Sequence, residues 1–109
     1  MPIANCIVTP DCVEGTSDLI ELWASESAQS PEHMTINITI SNRQLGNKYR
    51  VMASLFLPSM WSNENISLLK IGLAKAFAKH FDLALSEVHV ITNVVNSGSV
   101  VESGQEIKW

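Results

Sequence analysis

The fold class predicted for this 109-residue chain is α+β in two layers. Two tandem β-α-β units form a four-stranded mixed sheet with two helices on one face. Three observations carry that expectation. Segments of period two and of period 3.6 alternate in the order β-α-β, β-α-β. The two stretches of about 2–48 and 49–96 are weakly alike, IANCIV paralleling MASLFL and PEHMTINIT paralleling LSEVHVITN. Hydrophobic residues make up 46% and charged residues 17%, enough apolar material for one core in a single domain of residues 1–109.

Each element follows from local chemistry. Residues 3–8, apolar and partly β-branched, read as the first strand, with Pro2 at the position where a missing N–H is least harmful. The stretch TPDCVEGTSD is a loop by its Pro, Gly and Asp content. Asp18 and Glu21 open a helix over 18–29 with apolar Leu19, Leu22 and Trp23, and Ser30-Pro31 ends it. Residues 34–40 alternate strictly: Met34, Ile36, Ile38 and Ile40 on one side, Thr35, Asn37 and Thr39 on the other. A loop with Gly46-Asn47 leads to a third strand over 49–57. Ser62 caps the longest helix, 62–81, whose Ile66, Leu69, Leu73, Ala76 and Phe77 share a face. Residues 88–95 form the fourth strand, and the C-terminal arm 97–109 is a small hairpin or an arm laid on a neighbour. Parallel pairing and right-handed crossovers are expected within each unit.

Composition narrows the function. The net charge is −4 and the seven Lys and Arg are scattered, which excludes a nucleic-acid partner of the basic-stripe kind. No apolar run approaches the roughly 20 residues of a membrane helix. Cys6 and Cys12 have no nearby His and match no zinc spacing, and the three histidines make none either, so no metal site is expected. The two thiols read as reduced, and the start has neither a basic region nor a long apolar stretch, giving a cytoplasmic expectation. The low charge content and the uncovered sheet face favour an oligomer. His80 reads as a helix-dipole contact, Arg43 and Arg50 as solvated cations, and Cys6 as a core residue. The three tryptophans read as packing or subunit contacts.

The opening MPIANCIV, the EGTSD before the first helix and SEVHVITNVVNSG together resemble the tautomerase superfamily. The tandem length is similar to that of macrophage migration inhibitory factor relatives, and each half to that of 4-oxalocrotonate tautomerase. The resemblance implies a homotrimer with sheets lining a central barrel and helices outside. It implies catalysis by an amino-terminal proline, here Pro2 once Met1 is removed, on a small-molecule keto or enol substrate without cofactor. A secondary amine tuned toward neutrality is a competent general base. By the same resemblance His33, His89 and Val100 fall at site-lining positions. Thr16 and His89 stand where the 4-oxalocrotonate pattern carries arginines, and Gln29 where the inhibitory-factor pattern carries lysine. Two other readings stand beside it: hydratase, dehalogenase or decarboxylase chemistry on the same scaffold with a protonated proline, and a non-catalytic ferredoxin-like binding module.

Overall fold

A computed structural model describes residues 1–109. The elements run β1 (Ile3–Val8), α1 (Leu19–Ser27), β2 (Thr35–Ile40), β3 (Val51–Pro58), α2 (Asn63–His80), β4 (Val88–Val95), β5 (Val100–Glu102) and β6 (Gln105–Ile107). The first four strands form one sheet in the order β2-β1-β3-β4. β1 pairs parallel with β2, Ile3 opposite Thr35, and β3 parallel with β4, Val51 opposite Val88. At the centre β1 and β3 are antiparallel, Ile3 opposite Phe56 and Val8 opposite Val51. The expected mixed sheet and β-α-β order are therefore present.

Strand alternation builds the core. Ala4, Cys6 and Val8 of β1 and Val51, Ala53, Leu55 and Leu57 of β3 are buried under the helices. From above, α2 contributes Leu69, Leu73, Ala76 and Phe77, all at 0% exposure, on one helical stripe. Trp23 of α1 is equally buried, and its indole N–H donates to the Leu69 carbonyl at 3.0 Å, which satisfies the one polar atom the ring brings inside. The helices approach most closely where Gly72 faces Ser27. A Cβ on Gly72 would lie 2.9 Å from both the Ser27 amide nitrogen and its Cβ.

Capping sets the helix limits. The Asp18 carboxylate accepts from the Ile20 and Glu21 amides, and the Ser62 hydroxyl from the Asn65 amide. α1 ends two residues before the expected limit, because Ala28 turns left-handed at φ 56° and directs its amide back to Ala24 and Ser25 carbonyls. A 3-10 turn, Pro31–His33, then leads into β2. The outer half of β2 is little covered, although Ile38 and Ile40 share a side with buried Met34. Ile38 and Ile40 are 39% and 62% exposed, since they border a cleft with Val8, Pro10, Cys12, Val13 and Phe81 instead of lying under a helix.

The arm folds as a hairpin on its own chain. Ser103 and Gly104 both have positive φ, 52° and 75°, the combination a two-residue type I′ turn requires. The opposite face of the main sheet, with Ile7, Met52, Phe56 and Ile91 among Asn5, Asn37, Ser54 and Asn93, is not covered by a helix. No helix is long and apolar enough to cross a membrane.

Candidate functional site

The starts of β1 and β2 and the ends of β3 and β4 meet at one end of the sheet. Pro2 stands there and is buried. Its carbonyl accepts the Thr35 amide at 3.1 Å, so the parallel ladder anchors the proline just beyond its ring nitrogen. A residue with no N–H suits this position, because nothing precedes it in the ladder to accept one. With Met1 attached the Pro2 nitrogen is a tertiary amide without a basic lone pair; with Met1 removed it is a secondary amine.

Met1 lines a cleft of about 160 Å³ together with Pro58, Met60, Val100, Glu102, Ile107 and Trp109. The hairpin makes one wall. Gly98 N–H donates to Ile107 O at 2.9 Å, closing the arm on itself. Trp109 is then held at two points: its amide donates to Ser97 Oγ at 2.8 Å and its indole N–H to Ser59 Oγ at 2.9 Å. The cleft is thus mostly apolar, with one carboxylate, Glu102, and no cationic side chain among its lining residues. Exposed Lys108, between Ile107 and Trp109 in sequence, is the cation nearest to it along the chain.

The structure distributes the other expected site residues unevenly. Val100 lines the cleft beside Met1. His33 is exposed and ends the 3-10 turn two residues before Thr35, at the same end of the sheet as Pro2. His89 lies at the other end. It is opposite Met52, which is opposite Ile7, five residues along β1 from Pro2. At about 3.3 Å per residue this is about 16 Å along the strand, so one chain does not bring His89 to its own Pro2. There His89 packs on Tyr49, ring centroids 4.8 Å apart.

The expected free cations are partly engaged. Arg50 lies 3.4 Å from Asp11 Oδ2 and 3.6 Å from Glu87 Oε1, pinning the loop after β1 to the turn before β4. Gln29 donates to Asn65 between the helices and is not among the residues lining the cleft. Burial pushes the Cys6 thiol up to about 12, so it stays protonated and is no nucleophile.

His80 stands in the last turn of α2, where the sequence places a dipole contact, and it is also buried against the loop before α1. It is 6% exposed, and its Nδ1 is 2.9 Å from Ser17 Oγ while Nε2 is 3.5 Å from Glu14 Oε1. With the Gly15 amide donating to the His80 carbonyl at 2.7 Å, the imidazole clasps the Glu14–Ser17 loop onto the end of α2. The signal was present: His80 follows Leu73, Ala76 and Phe77 on the same helical stripe. Nothing comparable marked Trp109 or Glu102, whose places depend on how the arm returns.

The sequence matches no family model and no curated protein. Solved structures do match over nearly its whole length. A wild-type fused 4-OT, an asymmetric trimer, superposes with TM-score 0.78 at 16% identity, covering 96% of this chain and 95% of that one. A member of the cis-3-chloroacrylic acid dehalogenase family gives TM-score 0.71 at 12% identity over 97% and 83%. Macrophage migration inhibitory factor from Oncomelania hupensis gives 0.70 at 13% over 98% and 82%. The chain therefore has the tautomerase-superfamily fold.

Proposed function

We propose that the protein is a cofactor-independent enzyme of keto–enol proton transfer, assembled as a trimer, with Pro2 as its general base after Met1 is removed. The observation that carries this reading is the buried, ladder-anchored Pro2 whose preceding residue lines a cleft walled also by Val100 and Trp109. Removing Met1 turns the Pro2 nitrogen into a secondary amine and widens the cleft that Met1 lines, giving a small substrate room beside it. The Pro2 lone pair takes the enol O–H proton, the oxygen electrons form the carbonyl, and the C=C pair takes the proton back from nitrogen. Burial disfavours the charged amine and moves its pKa toward neutrality, as a base at neutral pH requires. The apolar wall and Trp109 favour an aryl or alkyl keto acid over a dicarboxylate. His33 from the same end of the sheet, and His89 supplied by a neighbouring subunit, are the groups we assign to orient the substrate.

One observation favours a second reading. The Glu102 carboxylate on the cleft stabilises a protonated amine. A protonated proline is an acid, suited to hydration or dehalogenation of a small unsaturated acid.

The test is turnover of phenylpyruvate and hydroxyphenylpyruvate enols by protein whose mass shows that Met1 is absent. Pro2→Ala activity is expected to fall by about 10²-fold or more. Equal activity of the variant and wild type overturns the base assignment. Turnover of a halo-acrylate without enol turnover supports the acid reading. Met1 retained on protein isolated from its native source, with no turnover of either, returns the fold to a binding module.

A further inference from the structure

The outer face of α2 carries a pattern that the N-terminal cleft does not use. Glu64, Leu68, Ile71 and Lys75 follow at spacings of four, three and four, which puts all four on one stripe of the helix. All are exposed, Leu68 by 45% and Ile71 by 53%, and with Glu26 they line a shallow groove beside α1. Leu85, 55% exposed, extends the apolar surface on the other flank of Ile71. Neither Glu64 nor Lys75 has an ion-pair partner in the chain.

The order acid, apolar, apolar, base is its own complement when read backwards. An antiparallel copy of α2, related by a two-fold axis between Leu68 and Ile71, sets each Leu68 against the other copy's Ile71. The same axis sets each Glu64 against the other copy's Lys75. Both pairings share one midpoint, because Glu64 and Lys75 flank Leu68 and Ile71 symmetrically. A single register thus satisfies one apolar and one charged contact twice over, the self-complementarity an isologous interface needs.

We propose that this face is a docking surface for a second copy of the chain, through antiparallel α2–α2 pairing. It lies on the helix layer, so it is compatible with assembly through the uncovered sheet face and leaves the N-terminal cleft open. One helix pair is smaller than the roughly 800 Å² per partner of a standard interface, so association is concentration-dependent and roughly micromolar or weaker.

The experiment is sedimentation velocity on the full chain over a wide concentration range, with charge variants that retain the native circular dichroism spectrum. Wild type is expected to pass, on concentration, to particles of about twice the mass or more. Glu64→Lys and Lys75→Glu each oppose like charges across the axis and are expected to abolish that step. The double variant Glu64→Lys/Lys75→Glu restores it, and a mixture of the two single variants associates although neither does alone. A wild-type mass independent of concentration overturns the proposal. So does a double variant or a mixture that fails to associate, since only antiparallel self-pairing predicts both rescues. Lys75→Glu keeps the test decisive if Glu64→Lys, in the first turn of α2, does not fold.

Discussion

Replacing Gly72 with alanine should destabilise this protein, although the same change in an exposed helix stabilises. Alanine gains about 0.8–1.0 kcal/mol in helix propensity over glycine. Against that, the new Cβ meets Ser27 N and Cβ at 2.9 Å and Cα at 3.0 Å. Two of these atoms are α1 backbone, so no rotamer change relieves the overlap; α1 and α2 must separate by several tenths of an ångström. That separation loosens Trp23, Leu69 and Leu73, all fully buried. Overpacking of this kind costs about 3 kcal/mol, the upper end of the usual range, because backbone rather than side chain is displaced. The net loss is about 2 kcal/mol. With an unfolding entropy of about 2.1 cal/mol/K per residue, a chain of 109 residues loses about 9 °C in Tm. Differential scanning calorimetry at matched protein concentration measures it, since assembly links Tm to concentration. Ser67→Ala on the same helix is the control, expected to raise stability by about 0.5 kcal/mol through propensity alone. A Gly72→Ala protein as stable as wild type refutes the close-approach argument.

Trp23→Phe removes the donor to Leu69 O and leaves that carbonyl buried and unpaired, so a loss of about 1–3 kcal/mol is expected in a urea titration. The Cys6 thiol, held up to about 12, should resist alkylation at pH 8 in the native protein and react on denaturation. Because the unfolded thiol loses its proton near pH 9 while the folded one keeps it, Cys6 makes stability fall as pH rises from about 9 to 12. The slope is at most about 1.4 kcal/mol per unit, and Cys6→Ala should flatten it in denaturant titrations across that window. The Thr9 hydroxyl, and then Arg50, hold the Asp11 carboxyl below its usual range. Its contribution is present above about pH 4 and lost as pH falls further, so Asp11→Asn should narrow the stability difference between pH 6 and pH 3.

The parts of the fold that were legible in the sequence are those where one periodicity rules. The strict alternation of 34–40 and the stripe Leu69, Leu73, Ala76, Phe77 specify a face, and that face proved to be buried at Met34 and along α2. Periodicity does not say how far a covering element reaches, which is why Ile38 and Ile40 proved exposed. It specifies a face but not an end of the sheet, so His89 could be placed in β4 without revealing that it sits away from Pro2. His80 was readable from its spacing yet outweighed by its place in the last turn of α2. The cleft was not readable at all beyond Val100. Its walls come from residues separated by most of the chain, joined by the turn at Ser103-Gly104 and by two serines that fix Trp109.

The antiparallel junction of β1 and β3 has a consequence for stoichiometry. The approximate two-fold it creates carries Ile3 onto Met52, as the likeness of IANCIV and MASLFL implies, and therefore Pro2 onto Val51. At that second position the chain runs straight through: Val51 lies inside the β3–β4 ladder opposite Val88, and Arg50 precedes it with its amide donating to Glu87 O at 2.9 Å. Repeating a β-α-β unit in tandem copies a strand, a helix and a crossover, but a chain end is the one group that tandem repetition cannot copy. Once Met1 is removed, as proposed, a reagent specific for a secondary amine should therefore titrate to one equivalent per chain, with the pseudo-equivalent end of the sheet silent.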